Sequence, residues 1–370
     1  MIIYIITFIF SCFCCFLIQK HNKSKILTIV FSILSILSLS FIGGMRDLTI
    51  GTDIAVYGKW YFNIACQYSS LKGYLKAINS DFLYLLLNFI VSRFTKDINI
   101  FLFVSQIIVN SLVFITIYKN REHCPMWMAM LVYCTIYYCR NYNFLRQSLA
   151  LAIIFYSFRY LYSKNIIKYV ICVVIAGLFH SSAYIAILFY IINYIMTTKS
   201  KKTQIIFSYV VIFFSLFIVV YIVETLEILN NFNLLNERYY IYTIKYLKNF
   251  TDFYLIETMF RVLFIVWYII SMKKINEYDK FNKTLGLLII LDCILIQFKN
   301  TLQYSERISY YFGYAQILLL PQLTSVLKTK NQKIVFNSIL SIVLFAYFYY
   351  EFVICRFGAA YPYTSSILGI

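Results

Sequence analysis

The chain has 370 residues, 62% of them hydrophobic and only 13% charged, with 33 Lys and Arg against 15 Asp and Glu for a net charge of +18. No soluble domain of this length has that composition. Nucleic acid is a poor partner, because the basic residues are dispersed over many connections on both sides of the apolar segments.

Hydrocarbon cannot satisfy free backbone groups, so a crossing helix needs ~20 mainly apolar residues. Such stretches recur along the chain. The predicted fold is all-α: one polytopic integral membrane domain over residues 1–370, with about twelve transmembrane helices and no soluble appendage. In chain order the spans fall at 2–19, 25–42, 100–118, 126–139, 147–162, 166–179, 183–197, 204–223, 257–272, 284–298, 308–327 and 334–353. The first lacks a basic leader and a small-residue cleavage site, which reads as a retained helix. Residues 81–92 are apolar but short, as in a re-entrant or interfacial helix; if they cross, the helices number thirteen.

Charge sets the orientation, since short cytoplasmic loops collect Lys and Arg. The basic connections are Lys20, Lys23 and Lys25; Lys119 and Arg121; Arg159, Lys164 and Lys168; Lys199, Lys201 and Lys202; Lys273, Lys274, Lys280 and Lys283; and Lys328, Lys330 and Lys333. These are assigned inside. The long loops 43–81 and 224–256, and the turns at Arg146, His180 and Arg307, are then outside and expected to form the site. The register holds only if residues 81–92 do not cross. Ten scattered cysteines, three of them at Cys12, Cys14 and Cys15, find no second Cys/His cluster to complete a metal site, and buried thiols usually act as small hydrophobes. The tyrosines of loop 224–256, Tyr239 to Tyr254, read as an interfacial aromatic belt or as a stacking platform for sugars.

Three polar islands interrupt the apolar pattern. In the first, Gly43-Gly44 precedes Arg46-Asp47, Gly51-Thr52-Asp53 and Tyr57. The glycines are expected to end a helix by permitting positive φ, and Gly51 to allow a tight turn. The charges form either a surface pair of Arg46 with Asp47 or Asp53, or a ligand loop at the outer mouth. In the second, Arg140 and Asn143-Phe144-Leu145-Arg146-Gln147 lead into an apolar helix. If Asn143 opens that helix, Asn143, Arg146 and Gln147 share one face near a positive helix terminus, an anion-binding arrangement. The alternative is interfacial anchoring by snorkelling arginines. In the third, Phe179-His180-Ser181-Ser182-Ala183 joins two apolar helices. His180 is the one histidine assigned outside, and reads as a hydrogen-bonded structural residue or a catalyst. Further on, Glu257 and Arg261 form an i, i+4 pair, and Asp292 sits mid-span, where it must be protonated, paired across the bundle or part of a polar path.

On these motifs, together with Glu306-Arg307 ahead of a helix ending in Pro321 and the terminal Tyr361-Pro362-Tyr363, the chain resembles the EpsG family of bacterial polysaccharide polymerases, related in role to the O-antigen polymerase Wzy. It departs from the pattern at Ile54, where a threonine is expected, and at Asp81, where a glutamate is more usual. The resemblance implies a membrane glycosyltransferase with a GT-C-like helical bundle in the bacterial cytoplasmic (inner) membrane, its active site facing outward. It would transfer a growing glycan from polyprenyl pyrophosphate to a lipid-linked repeat unit, in exopolysaccharide, capsule or O-antigen synthesis. Chain-length regulators and flippases would be its membrane partners.

Such a reaction needs fixed cations for the departing pyrophosphate and a base for the acceptor hydroxyl. Arg46, Arg146 and Arg307 are assigned to pyrophosphate, Arg140 and Gln147 to donor positioning, Asp47 and Tyr57 to substrate, His180 to general base, and Asp53 to orienting His180 or binding sugar hydroxyls. No cofactor or metal is demanded, since guanidinium groups supply the positive charge. A glycan ligase would use the same chemistry. A lipid-linked oligosaccharide flippase would instead spread charge through its spans, and a membrane O-acyltransferase has no need of so many arginines.

Overall fold

The computed structural model describes residues 1–21, 23–231, 255–297 and 305–370, with side chains described outside 222–231, 255, 305 and 306. The tyrosines of loop 224–256, with Lys299 and Asn300, lie outside those residues. All regular structure among the described residues is helical. The chain forms two compact units, residues 1–186 with 320–370, and residues 187–319.

The first unit begins with α1 (Ile2–Lys20) and α2 (Lys25–Gly44), an antiparallel pair opened by Ser24, whose side chain accepts the Leu27 N–H. Serines let the two approach: Ser11 and Ser35 hydrogen-bond at 2.7 Å between them. The expected outer loop is itself helical, with a π helix at Ile54–Trp60 followed by α3 (Tyr61–Gln67) and α4 (Leu71–Ala77). Next, α5 (Phe82–Ser92) has 11 residues, a rise of ~16 Å and about half the hydrocarbon thickness. Then come α6 (Ile98–Lys119), α7 (Met126–Val132), α8 (Leu145–Tyr162) and α9 (Ile166–Phe179). The stretch expected as one span at 126–139 is broken, passing from α7 into a π helix at Tyr133–Tyr138 and a 3-10 turn at Arg140–Asn143. Helices pack in the order α1, α2, α6, α8, α9, and α5 rests on α3 and α9.

The second unit holds α10 (Ile187–Thr198), α11 (Lys201–Asn231), α12 (Leu255–Tyr278), α13 (Phe281–Leu295) and α14 (Ser309–Gly313), and reaches into α15 (Ala315–Gln322). Its centre is α13, which packs on α10, α11, α12 and α14. Asp292 on α13 is paired across the bundle: Arg261 Nε donates to it at 2.9 Å and Gln316 at 2.7 Å, while Arg261 also bonds Glu257 at 2.9 Å. Pro321, which lacks an N–H, lies near the end of α15, and the chain closes with a 3-10 turn before α16 (Lys330–Phe348), started by a Thr329–Gln332 capping box in the first unit.

Six helical stretches among the described residues are long and apolar enough to cross a membrane. The remaining helices are either short or carry charged and polar residues, such as Arg146 and Gln147 in α8 and Glu257 and Arg261 in α12.

Candidate active site

Three helix ends meet in the first unit. Asp81 precedes α5, Arg146 lies in the first turn of α8, and His180 follows α9. Because α9 packs on both α5 and α8, these ends converge. Arg146 Nη1 donates to Asp81 Oδ2 at 2.7 Å and to Ser80 Oγ at 3.0 Å. His180 Nδ1 lies 3.6 Å from the same carboxylate oxygen. That is just beyond a hydrogen bond, a gap common in catalytic pairs before substrate tightens them. The three side chains are 17%, 14% and 22% exposed, so a ligand can reach them.

Tyr57 completes the cluster from the π helix. The Arg146 guanidinium sits 3.9 Å above its ring, and the Tyr84 hydroxyl fixes its backbone by donating to the Tyr57 carbonyl at 2.7 Å. Both Arg146 hydrogen bonds use Nη1, which leaves Nε and Nη2 directed by the cation–π contact and available to an anion. Asp53 opens the π helix, its carbonyl accepting the Tyr57 N–H at 2.9 Å.

The other expected site residues fall elsewhere. Arg46 is fully buried: its Nε donates to the Ile50 carbonyl at 3.1 Å, Nη1 to the Gly43 carbonyl, and the guanidinium lies 4.1 Å from the Tyr142 ring. Arg140 is also buried, bonded to Glu351 at 2.8 Å and to the Tyr347 hydroxyl at 2.6 Å. Arg46 and Arg140 thus brace the fold below the surface. Gln147 is buried in the first turn of α8. Arg307 belongs to the second unit, in the 3-10 turn Ser305–Ile308.

Asp47 accepts the Ser366 N–H at 2.7 Å. That N–H holds the Asp47 carboxyl below the usual carboxylate range. The tie is thus strongest above that range and is lost as pH falls through the lowered value.

Two local expectations are corrected by the backbone. Gly43 and Gly44 are helical, and what they supply is close approach to α6: a Cβ on Gly44 would lie 2.6 Å from Phe103 Cα. Asn143 does not open α8; its Oδ1 accepts the Thr52 N–H at 2.8 Å and pins the Gly51 turn. Gly51 itself has φ +104, with a Cβ position 2.5 Å from the Tyr142 carbonyl oxygen, and its N–H donates to Gly358 at 3.1 Å. Gly51→Ala is expected to destabilise the protein by about 1–3 kcal/mol. A thermal melt in detergent checks this, and an unchanged midpoint would show that the turn tolerates a side chain.

Sequence reasoning passed over Asp81 as a family departure and Glu351 as part of an apolar span. For Asp81 the signal was position: an acid just ahead of a short apolar helix, with Arg146 and His180 at neighbouring helix ends.

Helices long and apolar enough to cross, together with a carboxylate, an imidazole and a guanidinium gathered at the ends of α5, α8 and α9, define a multi-pass membrane protein with a candidate reactive centre. The chain belongs to the EpsG family, the match running over residues 29–365. EpsG-like proteins are polysaccharide polymerases of the Wzy type, which implies a lipid-linked oligosaccharide substrate. No curated protein and no solved structure matches the chain.

Proposed function

We propose that this protein polymerises a cell-surface polysaccharide at the outer face of the bacterial cytoplasmic membrane, by transferring a growing glycan from polyprenyl pyrophosphate to a lipid-linked repeat unit. The supporting observation is the single Asp81 carboxylate oxygen shared between Arg146 and His180. His180, turned by Asp81 through Nδ1, takes the proton of the acceptor hydroxyl on Nε2. The acceptor oxygen bonds the anomeric carbon as the bond from that carbon to the pyrophosphate breaks. Arg146, through Nε and Nη2, meets the charge that develops on the departing diphosphate, assisted by the positive N-terminal ends of α5 and α8. Asp53, one turn before Tyr57, is left for sugar hydroxyls.

Twelve helices cross in this reading, and α5 enters without crossing. Arg146 and His180 then lie at the ends of α8 and α9 remote from Lys164 and Lys168, the latter turn being cytoplasmic by the rule that basic loops stay inside. Purified protein given one lipid-linked repeat unit in nanodiscs is expected to yield a ladder of products. A single transfer to an added acceptor, with no ladder, would mark it as a ligase, and no transfer at all would end the enzyme reading.

A further inference from the structure

The second unit contains a cavity of about 910 Å³ between α10, α11, α12 and α13, lined by no residue of the candidate site. Its mouth is lined by Lys199, Lys201, Lys273, Lys280 and Lys283, and Glu277 is the one acid among the lining residues. The mouth therefore carries a formal excess of four positive charges, five lysines less one glutamate. Four of the lysines are exposed, while Lys283 reaches across to donate to Gln204 Oε1 at 3.0 Å, and Gln204 in turn donates to the Lys199 carbonyl at 2.9 Å. The lysine end is thus pinned into one shape.

Polarity falls away from that end. On α11 the lining starts at Lys201 and Gln204 and ends at Ile212, with Ile205, Ser208 and Tyr209 between; from Lys280, just ahead of α13, it runs through Lys283 to Leu287 and Ile290. Seven residues separate Lys283 from Ile290, a rise of ~10 Å, the depth over which a lipid passes from phosphate to acyl chain. Tyr268 forms part of the wall because Gly286 leaves room for it: a Cβ there would lie 2.0 Å from the ring. The lining residues Ile205 and Tyr209 of α11 are themselves 46% and 71% exposed, so the cavity is open along α11 and an acyl chain can leave it sideways.

We infer that this cavity is a binding site for an anionic phospholipid of the bilayer, its phosphate among the lysines and one acyl chain against Ile212, Leu287 and Ile290. A free phosphate has no use for the apolar depth, and a zwitterionic lipid gains little from four net positive charges. The inference is independent of the proposed reaction, since it uses no residue placed in the candidate site.

The test is native mass spectrometry of the full chain, titrated with phosphatidylglycerol, phosphatidylcholine, inorganic phosphate or a polyprenyl phosphate. Phosphatidylglycerol is expected to bind at least tenfold more tightly than phosphatidylcholine and to resist competition by inorganic phosphate. Each lysine near an anionic headgroup is worth about fivefold in affinity, so the combined change Lys199→Ala, Lys273→Ala and Lys280→Ala should remove the preference. Those side chains are exposed, which leaves the packed core intact. Ser208→Trp, which fills the cavity and keeps every lysine, should weaken the lipid equally. Equal binding of the two phospholipids, retention of the preference in either variant, or displacement of bound phosphatidylglycerol by inorganic phosphate or by polyprenyl phosphate would each overturn it.

Discussion

Polymerisation should fall by about 10²- to 10⁴-fold when His180 is replaced by alanine, the range that a general base supplies. Cells carrying His180→Ala are expected to make single repeat units in place of long chains at unchanged protein level. Arg146→Lys should lose nearly as much, because a lysine keeps the charge but not the fork that reaches Asp81 and a diphosphate together. Asp81 is a positioning residue in this scheme, and its conservative variant separates that part from a merely structural one. Asp81→Asn keeps the size and should be slow, whereas Asp81→Glu keeps the charge and should retain chain length. Long polymer in His180→Ala cells would remove the imidazole from the reaction, and a fully active Asp81→Asn would remove the carboxylate.

Glu351→Ala is expected to destabilise the protein by about 3–5 kcal/mol, because it removes the carboxylate that faces the buried Arg140 guanidinium. The cost of removing one partner exceeds the net worth of the pair, since desolvation of both ions has already been met by their contact and by the Tyr347 hydroxyl. The combined change Arg140→Met and Glu351→Leu should therefore recover most of the loss. Melting temperatures of the two single variants and the double, in one detergent, give the coupling directly. A double variant as unstable as Glu351→Ala would mean that Arg140 is held by the rest of its surroundings and not chiefly by Glu351.

Helix positions were legible in the sequence because apolar length is a strong signal: α1, α2, α6, α8 and α9 begin and end within a few residues of the expected spans. Breaks within spans were not legible. The π helix after α7 keeps a largely apolar composition, so nothing in hydropathy separates it from a continuous helix. In the site, Arg146, His180 and Tyr57 were foreseen and do come together. Arg46 and Arg140 were foreseen as ligand contacts and are buried. Their conspicuousness as charges in an apolar chain is the same whether a cation faces a substrate or lies under Tyr142 or beside Glu351, and only the partner decides. Those partners are distant in sequence, as is Asp81 from both Arg146 and His180.

Residues 357–366 clasp the segment that carries Tyr57, through Gly358 to Gly51, Tyr363 to Ile42, and Ser366 to Asp47. That segment is synthesised well before its fastening. A nascent polypeptide would therefore insert its helices well before it could shape the wall beside Arg146, and premature termination upstream of 357 would yield a bundle that is inserted yet unable to act.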